Sequence, residues 1–400
     1  MRGRLGRAAS GYPRAFWVLW AGTLVNRLGL VVLPFLTLYL TTVRGLRVEQ
    51  ATLVVGLYGA GTFAASFIGG ALADRIGRKA VLVSSLVSGG LLLAMVPLVK
   101  GVAAIAALVL AVGFAGEMYR PAVSAAVADL VPEERQGRAF VLIYWAINLG
   151  AAVGPAVGGF LAETSYVLLF GLDAATMVAF ALIVAVGVPE TRPPDEPEVG
   201  AVPALRPRRL GVALSDGLLV AITLVTLVVG VVIFQAYSTL PLTMRADGLG
   251  ERAYGLAITV NGGLVVLLSL PVARWVERRV SGVTLAAAVA TVAVGVGLHG
   301  VADAFAGYAL AVAVWTLGEV AYLPIMPALI ARLSPRHLRG TYQGVYAAGW
   351  GLAKMLGPVL GGLVFGALGA GVLWASCAAV GFGAAGALLL LRGPLRRRLA

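Results

Sequence analysis

Charge is what this sequence has least of. Only 12% of its 400 residues are Asp, Glu, Lys or Arg, against 60% hydrophobic, whereas a soluble domain is roughly a quarter charged and under half apolar. A soluble enzyme, a nucleic-acid binder and a disordered chain are excluded at once. Cysteine is nearly missing: Cys377 is single and lies in an apolar run, and the two histidines, His299 and His337, are far apart. Neither a disulfide framework nor a zinc site can be assembled from these, so no metal is expected. Acidic residues are outnumbered, 18 against 31 Lys and Arg, for a net charge of +13. In a membrane protein such an excess reflects cytoplasmic loops rather than nucleic acid, and no nucleic-acid partner is expected.

Abundant instead are apolar runs of about twenty residues, the length that crosses a bilayer's hydrocarbon core. Read between charged and Pro/Gly breaks, they predict an all-α polytopic membrane protein of twelve helices. The spans are 15–41, 52–73, 80–99, 102–128, 139–162, 166–188, 216–243, 254–273, 282–301, 304–331, 340–366 and 369–391. Arg2, Arg4, Arg7 and Arg14 give the first run the basic start of a signal peptide. Its apolar stretch is too long for one and carries Asn26 and Arg27, so it reads as a retained span. With both termini in the cytoplasm, 23 Lys and Arg fall in tails and cytoplasmic loops and five (Arg44, Arg47, Lys100, Arg245, Arg252) on the other side. The positive-inside rule selects that orientation, in a prokaryotic plasma membrane.

The Pro- and charge-rich stretch PETRPPDEPEVGAVPALRPRR reads as a flexible cytoplasmic linker over 190–215. It separates an N-terminal bundle, 1–189, from a C-terminal bundle, 216–400. An internal repeat supports the division. Gly116-Glu117 recurs as Gly318-Glu319, and Pro121, Pro132, Gly137, Gly154-Pro155 and Gly158-Gly159 recur as Pro324, Pro335, Gly340, Gly357-Pro358 and Gly361-Gly362. The halves are expected to be pseudo-symmetric, as in many secondary transporters.

The loop after span 2 reads Gly70-Ala71-Leu72-Ala73-Asp74-Arg75-Ile76-Gly77-Arg78-Lys79, and span 5 carries Gly150, Gly154-Pro155 and Gly158-Gly159. These resemble the G-x-L-a-D-r-x-G-r-K signature of the major facilitator superfamily and the G-x-x-x-G-P-x-x-G-G signature of its antiporters, in particular bacterial drug/proton antiporters. The resemblance covers essentially the whole chain. It implies a conformational latch of Gly70, Asp74, Arg75, Gly77 and Arg78, with Asp74 against the start of span 11 and Arg78 paired to Asp129. Arg274 stands where the second half would need an acid, so any latch is one-sided. Val141 replaces an upstream glycine of the antiporter pattern.

The resemblance also implies that spans 1, 4, 7 and 10 line a central cavity. Ionisable groups at membrane depth are costly and line pathways or pair with one another. Glu117 and Arg120, one helical turn apart on span 4, and Glu319 on span 10 are the candidates for proton coupling. Asn26, Arg27, Gln235, Tyr237, Tyr322 and Lys354 are candidate cavity residues, Lys354 either facing the cavity or reaching toward Glu319. Asp173, a turn or two inside span 6, reads as a hydrated side chain. The expected function is export of small lipophilic molecules or drugs in exchange for protons by alternating access, by a monomer and without chemistry on the substrate. No G-x-x-x-x-G-K-[ST] loop occurs, so no nucleotide or other cofactor is expected and the proton gradient supplies the energy. The competing reading is a carrier of a small anionic or sugar-like metabolite, because Arg27, Arg120 and Lys354 outnumber Glu117 and Glu319. A non-transporting sensor has no signature in its favour.

Overall fold

The computed structural model describes residues 12–192, 207–277, 281–335 and 338–399. Among these, ten helices are long and apolar enough to cross a membrane. Gly282–Leu298 is a further apolar helix of 17 residues. Arg339–Leu390, with 52 residues, turns sharply at Gly369, whose φ of 83° lies in the left-handed region open to glycine. At 1.5 Å per residue it is about 78 Å long, more than twice the hydrocarbon core, so it crosses twice. The count is consistent with twelve passes.

The passes differ in continuity. Span 1 is Arg14–Leu28 and Val32–Leu38; span 4 is Val102–Glu117 and Tyr119–Leu130. Span 7 is Gly217–Ile233, a tighter turn Phe234–Tyr237, and Leu240–Ala246; span 10 is Phe305–Tyr322 and Met326–Leu333. The remaining spans run as single helices: Val48–Ile76, Arg78–Met95, Glu133–Thr164, Tyr166–Gly187, Glu251–Glu277 and Gly282–Leu298 for the second, third, fifth, sixth, eighth and ninth. Each of the four breaks has a proline within it or just beyond it: Pro324 within, and Pro34, Pro121 and Pro241 beyond. Proline lacks the N–H that would bond four residues back and its ring crowds that carbonyl. For Pro121 the orphaned carbonyl is that of Glu117. The expected uninterrupted spans 15–41, 102–128, 216–243 and 304–331 are corrected accordingly. Span 5 begins earlier than expected, at Glu133, and span 2 at Val48. Within the expected 190–215 linker, Pro207–Ser215 is helical, and residues 193–206 lie outside the described segments.

Small residues set the packing in both halves. A Cβ on Gly89 of span 3 would lie 2.4 Å from the Cα of Gly116, and one on Gly318 of span 10 would lie 2.4 Å from the Ala288 carbonyl of span 9. Gly116 and Gly318 are repeat partners and do the same work, letting spans 3 and 4, and 9 and 10, touch backbone to backbone.

The two halves meet along two seams. Span 2 lies against span 11, with Gly56 and Gly59 on Met355 and Lys354, Gly362 on Thr52 and Gly366 on Glu49. Span 5 lies against span 8, with Gly255 on Pro155, Gly262 on Ala152 and Gly159 on Glu251 and Arg252. Polar contacts close the rim: Tyr166 donates to Glu251 at 3.1 Å, and the Arg252 N–H donates to Glu163 at 3.2 Å. All these contacts lie toward the face opposite the chain ends, here the far face. Toward the tail face the seam parts. Gly351 still meets Phe63, but Gly70 meets only Pro121 of its own half, Gly340 has open space, and Phe140, Val141, Tyr144 and Trp145 are exposed. Among the described residues the two halves touch toward the far face and part toward the tail face.

Candidate functional site

The four helix breaks place polar groups near the middle of their spans. Glu117 ends the first piece of span 4 and is buried. Its Oε1 accepts the Tyr58 hydroxyl of span 2 at 2.8 Å, and its carboxylate is ion-paired with Arg120 across the break. The pair is asymmetric: the Arg120 side chain is 47% exposed, Glu117 only 8%. Arg120 thus reaches accessible space that Glu117 does not. Lys354 comes from the other half; its Nζ lies 4.8 Å from the Tyr58 ring centre. Gly59 makes this possible, since its missing Cβ would lie 2.5 Å from the Lys354 carbonyl oxygen. Lys354 is turned toward the first half, beside Tyr58, and forms no ion pair with Glu319 among the described residues.

Arg27 and Asn26, at the end of the first piece of span 1, converge on Tyr119. Arg27 donates to the Tyr119 hydroxyl at 2.7 Å, and that hydroxyl donates to Asn26 Oδ1 at 3.1 Å. Gly150 of span 5 permits the approach, because a Cβ there would lie 2.4 Å from the Arg27 Cβ. Gly154 borders the Leu28 carbonyl and Gly158 faces Phe35, so the Gly150–Gly159 motif seats span 1 on one side and span 8 on the other. Asp173 accepts the N–H groups of Val31 and Val32 at 3.2 and 3.0 Å, capping the restart of span 1. It is 2% exposed, which corrects the expectation of a hydrated side chain.

The second half is built differently at the repeat-related position. Glu319 Oε2 accepts Asn261 Nδ2 of span 8 at 2.7 Å, and Asn261 also donates to Thr316 at 3.0 Å. No salt bridge to Glu319 occurs among the described residues. Tyr322 shares a 3.0 Å hydrogen bond with Thr226 and is fully buried. Gln235 is likewise buried: it donates to the Val231 and Gly357 carbonyls at 2.9 and 2.8 Å and accepts Thr239 at 2.9 Å. Both tie span 7 to its neighbours. Tyr237 is half-buried near Phe234, their ring centres 6.3 Å apart.

At the tail face, Arg78 donates to Asp129 at 3.0 Å and lies 3.3 Å from Asp74. Asp74 is half exposed and stays within its own half. Sequence reading passed over Glu190 here. Its carboxylate accepts the N–H groups of Arg78 and Lys79 at 2.9 and 3.2 Å, capping span 3, and those of Thr191 and Arg192 at 2.9 Å. Gly77 has φ 103°, and a Cβ on it would lie 2.3 Å from that carboxylate. Arg192 also donates to the Arg75 carbonyl. Partial burial alone would raise the Glu190 carboxyl, but the N–H groups of Arg192, Arg78, Thr191 and Lys79 outweigh it and hold it below its ordinary value. A depressed carboxyl contributes stability that is present above its unfolded value, about 4.3, and is lost as pH falls through the lower folded value. Glu190→Ala is therefore expected to lower the melting temperature at neutral pH by the equivalent of about 1 kcal/mol. The deficit should vanish in acid, read by thermal unfolding in detergent. A deficit equal at both pH values would refute a charged cap.

Residues 19–346 and 224–399 match the family described as Major Facilitator Superfamily. A Na(+), Li(+), K(+)/H(+) antiporter of Planococcus maritimus is 24% identical over 359 residues, 82% of this chain and 84% of the relative. A multidrug resistance protein MdtH of Aeromonas hydrophila is 25% identical over 354 residues, 86% of each. Among solved structures, that of the nucleoside transporter NupG superposes with a TM-score of 0.81 at 14% identity, covering 94% of this chain and 99% of that one. With the family matched along nearly its whole length and the same helical fold, this chain is a multi-pass membrane protein belonging to the Major Facilitator Superfamily.

Proposed function

We propose that the protein exports small lipophilic molecules in exchange for protons by alternating access. The observation that carries this is the Tyr58–Glu117–Arg120 cluster. A buried carboxylate at mid-depth hands its protonation state to a guanidinium exposed to the open side, with Lys354 of the opposite half alongside. Proton binding at Glu117 releases Arg120, and substrate and proton then compete for one site. The relatives named as a multidrug resistance protein and a cation/proton antiporter support exchange of this kind. The aromatic cluster of Phe234, Tyr237 and Trp350 on spans 7 and 11 favours an apolar or aromatic cargo. The test is purified protein in proteoliposomes with an imposed pH gradient, assayed against lipophilic cations, neutral drugs and anions. Flux of anions alone, indifferent to the gradient, would replace this reading with the anion carrier.

We take the tail face as cytoplasmic, from the 23-to-5 split of basic residues, so the structure is the inward-open state. Thiol reagents applied outside intact cells should label a cysteine placed near Asp247 and spare one in 190–215; the reverse pattern would invert the assignment. Asp74 then acts in the other state, where closure of the tail face brings it against the start of span 11. A carboxylate near a helix N-terminus is worth about 0.3–1 kcal/mol. Asp74→Asn is expected to slow transport by about two- to fivefold, the same free energy expressed as a ratio, and to raise tail-face accessibility with folding unchanged. Equal accessibility and flux would leave Asp74 an ordinary loop charge.

A further inference from the structure

Span 4 is broken between Glu117 and Tyr119, and proline explains only part of the break. In an unbroken helix the Tyr119 N–H would bond the Ala115 carbonyl, and residue 121 would bond the Glu117 carbonyl. Pro121 has no N–H, which removes the second of these rungs. The first is taken over by a side chain from a neighbouring helix. Ser85 of span 3 donates its hydroxyl to the Ala115 carbonyl at 2.6 Å and accepts the Tyr119 N–H at 3.0 Å. Two bonds in series stand where a single N–H···O bond of about 3 Å would be. Insertion of a side chain into the ladder is one of the few things that bends or breaks a helix.

The packing of spans 3 and 4 allows this. Ser85 and Gly89 share one face of span 3, and Gly89 lies directly on Gly116 of span 4. With the backbones that close, a side chain as short as serine reaches both groups, and Ser85 is fully buried there. Its neighbours do nothing comparable: Ser84 and Ser88 donate to the Val81 and Ser84 carbonyls of their own helix. The second half also lacks the device. The repeat that relates Gly116 to Gly318 puts Ala287 where Ser85 stands, and the Leu323 N–H reaches the Glu319 carbonyl at 2.9 Å, so the rung at Glu319 is intact. The bridged segment of span 4 carries the polar site. Glu117 precedes the gap, Arg120 follows it, and the two are ion-paired across it. Tyr119, whose N–H Ser85 holds, accepts Arg27 on its hydroxyl at 2.7 Å.

We propose that Ser85 is a positioning residue of the coupling site: its hydroxyl, standing in for one rung of the span 4 ladder, sets Glu117 and Arg120 in register across the break. Without it the Ala115 carbonyl and the Tyr119 N–H close on each other directly, because leaving both buried and unpaired costs more. That closure turns Tyr119 and Arg120 relative to Glu117 while every charged group stays in the chain. Ser85 touches neither proton nor substrate and acts through Glu117. The proposal rests on the proton-exchange reading and adds the residue that aligns the exchanging pair.

The experiment compares wild type, Ser85→Ala, Ser85→Cys and Ser88→Ala, each full length in proteoliposomes, with ethidium as the probe. Flux under a pH gradient is read alongside equilibrium binding at two pH values. Ser85→Ala is expected to lose about tenfold of pH-driven flux, part of what a fully lost proton-transfer group would cost, and to flatten the pH dependence of binding. Ser88→Ala, which loses only a bond to its own helix, should match wild type. A thiol is a weaker donor and acceptor than a hydroxyl, so Ser85→Cys should fall between Ser85→Ala and wild type; any other order overturns the proposal. A serine that merely tied spans 3 and 4 together would lower the melting temperature and leave the pH dependence alone, which also overturns it. The double variant Ser85→Ala/Glu117→Gln tests the route of action. Its ethidium affinity should equal that of Glu117→Gln within about twofold, the ordinary error of additivity; full additive losses would show that Ser85 does not act through Glu117. If wild type itself has neither pH-driven ethidium flux nor pH-dependent binding, the exchange reading for lipophilic cations falls and the positioning role with it. If wild type is coupled and Ser85→Ala equally so, the positioning role alone falls.

Discussion

Glu117→Gln is expected to reduce pH-driven flux to the level of protein-free vesicles while leaving substrate binding largely intact. Glutamine keeps the shape of the side chain and can still accept the Tyr58 hydroxyl, which in the native protein lies 2.8 Å from Oε1. What it removes is the proton site and the charge opposite Arg120. Arg120 is 47% exposed, so the freed guanidinium turns to water without the penalty of an unpaired buried charge. Binding should therefore change by no more than about tenfold, the scale of one ordinary hydrogen bond. It should also become less dependent on pH. Glu319→Gln is the control, because that carboxylate is held by Asn261 alone among the described residues. The measurement is flux under a pH gradient alongside equilibrium binding at two pH values. If Glu117→Gln retains coupling and Glu319→Gln loses it, the coupling site belongs to the second half; if both retain it, facilitated diffusion is the better description.

The second large effect is conformational. At Gly59 a new side chain meets backbone, with the Lys354 carbonyl oxygen and carbon at 2.5 and 2.7 Å and the Met355 Cα at 2.8 Å. Overpacking of this kind costs about 1–3 kcal/mol, and rigid backbone on the far side puts Gly59→Val at the upper end. Three kcal/mol shifts the balance away from the far-face-closed state by roughly a hundredfold. Spin labels at the exposed positions Leu53 and Leu363, in a protein whose Cys377 has been replaced, should report a longer separation, and flux should fall with it. Gly263→Val on span 8 is the control, since a Cβ there meets nothing within 4 Å. Identical distance distributions in both variants would show that the seam is not built on Gly59.

The all-helical membrane fold was readable because bilayer thickness imposes a length on every apolar run. Helix continuity was harder. Pro34, Pro121, Pro241 and Pro324 accompany breaks, yet Pro155, Pro271 and Pro358 sit inside unbroken helices, so proline alone does not tell a break from a bend. Polar residues on spans 1, 4, 7 and 10 were visible as rare groups in apolar runs, but their directions were not. Gln235 and Tyr322 turn into helix junctions, whereas Tyr58 and Asn261, on spans with no expected cavity role, supply the partners of Glu117 and Glu319. Such pairings join residues 58–59 positions apart, and no local pattern records them. Glu190 was hidden for a related reason: its Pro-rich surroundings read as linker, while its carboxylate reaches back to cap span 3.

The span 2–span 11 seam acts as a lever with its fulcrum off centre. Contact runs from Glu49 against Gly366 to Phe63 against Gly351, and span 2 then continues to Ile76, an arm of about 20 Å at 1.5 Å per residue that packs on Met118 and Pro121 of its own half. Tilting such an arm by about 15° swings its tip by about 5 Å. Tyr58, Gly59 and Lys354 sit just on the closed side of the fulcrum, where the same tilt displaces atoms by a small fraction of that. Wide aperture changes at the rims therefore coexist with a nearly stationary pivot. The cluster there registers which way the molecule faces through which water reaches it, more than through any change in its own geometry.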